Sequence, residues 1–95
     1  MNIIFTKRAE NNLVKIINYI SEQGYPDTAN HFLSRTDDFI KTLKTFPDKF
    51  AICKQASLKK RSFRCVPFEN NFIVVYKHMN DDILIYNFVH ASKFR

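Results

Sequence analysis

The chain has 95 residues, 45% of them hydrophobic and 25% charged, which fits a single globular domain over residues 1–95 and excludes bulk disorder. One glycine and three prolines exclude collagen-like and linker-rich chains, while Cys53 and Cys65 are too few for a secreted disulfide framework and too far apart for a CxxC site. Fifteen Lys and Arg against nine Asp and Glu leave a net charge of +6; with no apolar run near the ~20 residues of a membrane helix and no leader-like start, the expectation is a soluble, reduced, cytoplasmic protein that engages no membrane.

Residues 2–5 (NIIF) read as a short strand. Thr6 follows as a helix N-cap, since its hydroxyl can accept from an orphan N–H of the first turn. Ala9, Leu13, Ile16, Ile17 and Ile20 then recur at helical spacing, which predicts a helix over 7–23 closed by Gly24. Tyr25-Pro26-Asp27 opens a second helix, whose stripe is Ala29, Phe32, Leu33, Thr36, Ile40 and Leu43. Phe46-Pro47 ends it, because a proline disfavours helical backbone in the residue before it. The short link predicts an antiparallel helical hairpin.

Residues 48–60 carry no clear period and receive no element. Residues 63–68, 72–77 and 83–89 are rich in aromatic and β-branched side chains. Turn sequences separate them, Glu69-Asn70-Asn71 and Met79-Asn80-Asp81-Asp82, so they read as a three-stranded antiparallel meander. Pro67 implies an edge strand, a bulge or a strand ending at Val66. The result is an α+β domain in which an N-terminal strand joins a small antiparallel sheet and the helical hairpin packs on one face.

Residues 49–68 hold Lys49, Lys54, Lys59, Lys60, Arg61 and Arg64 and no acid. A stretch of this kind attracts polyanions or an acidic protein, and its aromatic neighbours suit nucleic acid. Strand alternation places Arg64 outward and pairs Phe63 with Cys65 on the core side, with Arg61 reaching the outer face only through a bulge. Tyr86 and His90, four residues apart, share one strand face on the same alternation. Such a pair, with the cations, could serve as acid, base and phosphate clamp for RNA cleavage. The histidines and cysteines are too scattered for a metal site, and one glycine cannot make a phosphate loop, so no cofactor is expected.

The ordered pattern Ala9-Glu10, Leu13, Ile16, Tyr19-Ile20, then Ala29, Phe32, Ile40, Leu43, Phe46-Pro47, then Arg64, Phe72-Ile73-Val74-Val75-Tyr76, then Ile83-Leu84-Ile85 and Val89-His90 resembles the RelE/ParE superfamily. These are toxins of bacterial type II toxin–antitoxin (plasmid stabilisation) systems. The resemblance covers nearly the whole chain and implies the fold just described, growth inhibition and a cognate antitoxin. ParE-like members bind DNA gyrase and trap it on DNA; RelE-like members cut mRNA on the ribosome. Arg64 matches an arginine that opens a meander strand in both branches, Tyr76 a tyrosine that closes the next, and His90 a histidine common near the end of ParE-like chains. Lys93 stands where an arginine often follows. For a RelE-like nuclease the candidate catalytic residues are Arg61, Arg64, Tyr86 and His90, without a matching acidic base. For binding they are Lys54, Lys59, Lys60, Arg61, Arg64 and Lys93. The long hairpin and the Val89-His90-Ala91-Ser92-Lys93 ending favour the ParE-like branch.

Overall fold

In a computed structural model, which describes residues 2–24, 26–69 and 71–93, β1 (Asn2–Phe5) passes directly into α1 (Lys7–Glu22) at Thr6. The Thr6 hydroxyl oxygen accepts from the Ala9 amide at 3.1 Å and donates to the Tyr86 carbonyl at 2.6 Å. One side chain therefore caps the helix and ties it to the last strand. Gly24 ends the helix with a φ of +85°, its amide bonded to the Ser21 carbonyl. Tyr25 of the link lies outside the described residues. The second helix, α2 (Pro26–Thr45), stops just before Phe46-Pro47.

Both stripes turn to a sheet, except that Leu33 of the second is left 44% exposed. Ala9 is fully buried, with Leu13, Ile16, Ile17 and Ile20 packed around it, and α2 contributes Phe32, Thr36 and Leu43. Thr36 is polar but satisfied, its hydroxyl donating to the Phe32 carbonyl at 2.8 Å. The sheet side of this core is Val66, Phe68, Val74, Tyr76, Ile83, Ile85 and Phe88. Phe32 meets Phe68, Phe72 and Phe88 edge-on, so aromatic packing replaces the bulk that tryptophan would supply.

The meander is β2 (Arg64–Phe68), β3 (Phe72–Met79) and β4 (Asp82–His90), and the sheet order is β1-β4-β3-β2. β2 is an edge strand, which is where Pro67 can sit without costing a central ladder bond. Of the first turn, Asn70 lies outside the described residues. β1 joins the sheet as expected but runs parallel to β4, Asn2 opposite Asp82 and Phe5 opposite Ile85. The sheet is therefore mixed, not wholly antiparallel: the helices and meander between β1 and β4 are a connection long enough to bring the chain back in the same direction.

Residues 51–53 form a short antiparallel pairing with 63–65, through an Ile52–Arg64 bridge, Cys53 N to Phe63 O and Cys65 N to Ala51 O. Between them lies α3 (Ala56–Lys60), closed by Ser62 at φ +63°. The Ser62 amide bonds the Lys59 carbonyl and the Phe63 amide the Leu58 carbonyl, the two bonds of a Schellman cap, with Leu58 and Phe63 in its hydrophobic contact. This excursion covers the sheet face opposite α1 and α2, where Cys53, Phe63 and Val75 make a second small core.

Cys53 and Cys65 are joined as a disulfide, with Cα atoms 4.9 Å apart. The expectation of two reduced thiols is overturned. The residues are 12 apart in sequence, and the 51–53/63–65 pairing is what sets them side by side.

Candidate functional site

The basic stretch becomes a cap on the open face of the sheet. Phe63 is buried there and stacks on Tyr86, with ring centroids 4.5 Å apart and planes tilted by 31°. The Arg61 guanidinium lies 4.9 Å from the Phe63 centroid and 5.2 Å from that of Tyr86. Its Nη1 is 3.5 Å from the Tyr86 hydroxyl, the outer limit of a hydrogen bond, so stacking does most of the holding. Lys77 approaches the same Phe63 ring at 5.6 Å. Lys54, Lys59, Lys60 and Arg61 are exposed, and among the described residues none of them is in an ion pair. Their charge is available to a partner.

Arg64 is not outward-facing, contrary to the strand-alternation expectation. It pairs across the sheet with the buried Tyr76, on the side of α1 and α2. Its Nη1 donates to the Phe50 carbonyl and its Nη2 lies 3.5 Å from Asp48. Tyr76 completes this strut by donating its hydroxyl to the Pro47 carbonyl at 2.7 Å. Burial pushes the Tyr76 phenol up; the Arg64 charge and the Phe50 main chain partly oppose that, and Asp48 adds to it. The sequence signal was ambiguous here: Arg61 and Arg64 are three residues apart, and the Ser62 turn decides which of them leaves the core.

Tyr86 and His90 do not share a face either. Opposite Val75 stands Asn87 and opposite Tyr76 stands Ile85, so Tyr86 is an extra, unpaired residue in β4. This bulge lies where β1 has ended and the chain has turned into α1. Asn87 is drawn to that helix, accepting from Asn12 at 2.9 Å. Beyond the bulge the register places Phe88 and His90 on the helix side. His90 sits edge-on to Phe72, with ring centroids 5.5 Å apart. Its Nδ1 accepts from the Ser92 amide at 3.2 Å and is 2.7 Å from the Ser92 hydroxyl. Lys93 falls in the 3-10 turn Ala91–Lys93, and its side chain lies outside what is described.

On that helix side lies a groove of about 700 Å³ lined by Ile16, Tyr19, Ile20, Phe32, Phe72 and His90. Lys15 stands at it, as do Arg35 and its ion-pair partner Glu69. Tyr19 is 64% exposed, a large aromatic surface to leave uncovered. Among the described residues no three His, Cys, Asp or Glu side chains gather to hold a metal ion, and no helix is long and apolar enough to cross a membrane.

A sequence model described as "ParE toxin of type II toxin-antitoxin system, parDE" matches residues 3–93. Among solved structures, one titled "Chromosomal ParDE TA system from P. aeruginosa" is similar in fold, with a TM-score of 0.65 at 16% identity over 95% of each chain. No curated protein matches the chain.

Proposed function

The chain belongs to the ParE toxin family of type II toxin–antitoxin systems, and from that premise we propose that it acts by binding rather than by cutting RNA, with DNA gyrase as its target in the cytoplasm. The observation that carries this is the division of the candidate catalytic residues between two faces. Arg61 and Tyr86 stand on the open face, whereas Arg64 is tied to the Phe50 carbonyl and His90 lies at the groove. A base, an acid and a phosphate clamp must converge within hydrogen-bond reach of one phosphodiester, and these do not. Binding needs no such convergence.

The exposed cations Lys54, Lys59, Lys60 and Arg61 give the toxin a positive surface for an acidic or phosphate-bearing part of the gyrase–DNA complex. A type II toxin has a cognate antitoxin. The groove suits its neutralising segment: apolar side chains for the floor and Lys15 for an acidic residue at the rim, where Arg35 is already paired with Glu69.

The test is induction without antitoxin, followed by pulse-labelling of new protein and a supercoiling assay with purified gyrase. Continued translation with loss of supercoiling is expected. Collapse of translation within minutes, with supercoiling intact, would replace this function with ribosome-dependent mRNA cleavage.

A further inference from the structure

We propose that the Cys53–Cys65 bond is a reversible thiol switch that holds the basic cap in place when oxidised and releases it when reduced, with a cellular thiol as its reaction partner. The bond closes a ring around residues 54–64, which carry α3 and the four exposed cations Lys54, Lys59, Lys60 and Arg61. Ahead of Phe63, the one side-chain hydrogen bond from that ring to the sheet among the described residues is the long Arg61–Tyr86 contact. α3 has five residues and no side-chain cap at its N-terminus, too short to persist alone. Apart from the Schellman bonds, it is anchored by Leu58 and Phe63 against Val75, by the Phe63–Tyr86 stack with Arg61 over it, and by the two main-chain bonds of the 51–53/63–65 pairing. Cys53 is itself one of the three buried residues of this small core. The cross-link is thus both a wall of the cap's core and a covalent tie to the sheet additional to the main chain that runs on into β2, and Arg61 keeps its place over Phe63 and Tyr86 only while the cap stays down.

Access favours one direction of attack. Cys53 is 2% exposed, whereas Cys65 is partly open to solvent. A thiolate attacks the Cys65 sulfur, forming a mixed disulfide and expelling Cys53 as a thiolate. A second thiolate attacks the outer sulfur of that mixed disulfide, releasing Cys65 as a thiolate and leaving a small disulfide. Two electrons pass from the two thiols to the bond, and the two protons end on Cys53 and Cys65. In a reducing compartment a protein disulfide is usually a transient, sensing one. The compartment rests on the functional reading above; the bond's reversibility and its hold on the cap do not.

The experiment uses the purified full chain in glutathione buffers of varied ratio, with thiol alkylation to count reduced cysteines. Hydrogen exchange and trypsin cleavage at Lys59, Lys60 and Arg61 report the cap. Reduction is expected within millimolar glutathione, with exchange over 54–63 rising about tenfold or more while β3 and β4 stay within about twofold. Oxidised glutathione should restore protection. The Cys53→Ala/Cys65→Ala double variant should match the reduced protein in every buffer; should it fail to fold, the wild-type titration decides alone. The proposal is overturned if the bond survives all glutathione ratios, if reduction leaves the cap's exchange unchanged, or if the whole sheet loosens together with the cap. None of these outcomes depends on whether gyrase is the target.

Discussion

Arg61 and Arg64 have the same side chain, lie three residues apart and do different work. Arg64 gives a charged donor to the main chain at Phe50 and leans on Asp48, whose own side chain is 62% exposed. The ion pair itself is worth little at that exposure, but losing the donor strands a carbonyl and removes packing. Arg64→Ala should therefore lower unfolding free energy by about 2 kcal/mol. Arg61→Ala, on a surface stack, should stay within about 0.5 kcal/mol. Urea unfolding of the two variants checks this, and equal losses would mean that Arg64 is not a strut. Tyr76 extends the same argument to pH. Its phenol is held above its ordinary value of 10.0, chiefly by burial. The folded state therefore binds this proton more tightly than the unfolded state does. The stability this contributes is complete below about pH 10 and is lost as pH rises through the higher folded value. Tyr76→Phe should flatten that alkaline loss, and a variant curve as steep as wild type would assign the loss to other groups. Arg64→Ala should move the Tyr76 titration further up, because it removes the positive charge that draws it down.

At the scale of elements, caps and turns decide the fold, and most of them are written in single residues. Thr6, Gly24 and Phe46-Pro47 bound the helices where the sequence places them, and Pro67 falls on an edge strand. Three features escaped the same reading for definite reasons. α3 is too short to show a helical period. The disulfide depends on a pairing between segments with no strand pattern of their own. The β4 bulge leaves no mark in the alternation, because Tyr86 and Asn87 suit either face, and yet that one extra residue carries Tyr86 away from His90. The candidate site was thus legible as a set of cations, not as a geometry. Ser62 shows where local sequence and structure disagree: it holds the left-handed position of a Schellman cap, usually occupied by glycine. Ser62→Gly should stabilise the protein by about 0.5–1 kcal/mol, seen as a higher urea midpoint with unchanged slope. No gain, or a loss, would mean that the serine side chain offsets its backbone cost.

At the scale of the whole molecule, the sheet separates two surfaces of different chemistry. The cap on the open face offers charge, and the groove beside α1 and α2 offers apolar area with Tyr19 standing out of it. A toxin that must strike one partner and be silenced by another can use one face for each. Separate faces give separable mutants. Reversing two cap charges, Lys59→Glu with Arg61→Glu, should abolish growth inhibition while leaving antitoxin affinity within about threefold, since neither residue lines the groove. Tyr19→Asp should do the reverse. Tyr19 is already 64% exposed, so the fold loses little, but a charge replaces an aromatic contact and antitoxin affinity should fall about tenfold or more, roughly 1.4 kcal/mol. Cells carrying that variant should stop growing even with antitoxin present. Titration calorimetry with the antitoxin and plating after induction read the two effects independently. If the cap variant also loses the antitoxin, or if Tyr19→Asp alone is harmless to cells, the antitoxin and the target compete for one surface, and neutralisation is direct occlusion instead of control from the opposite side of the sheet.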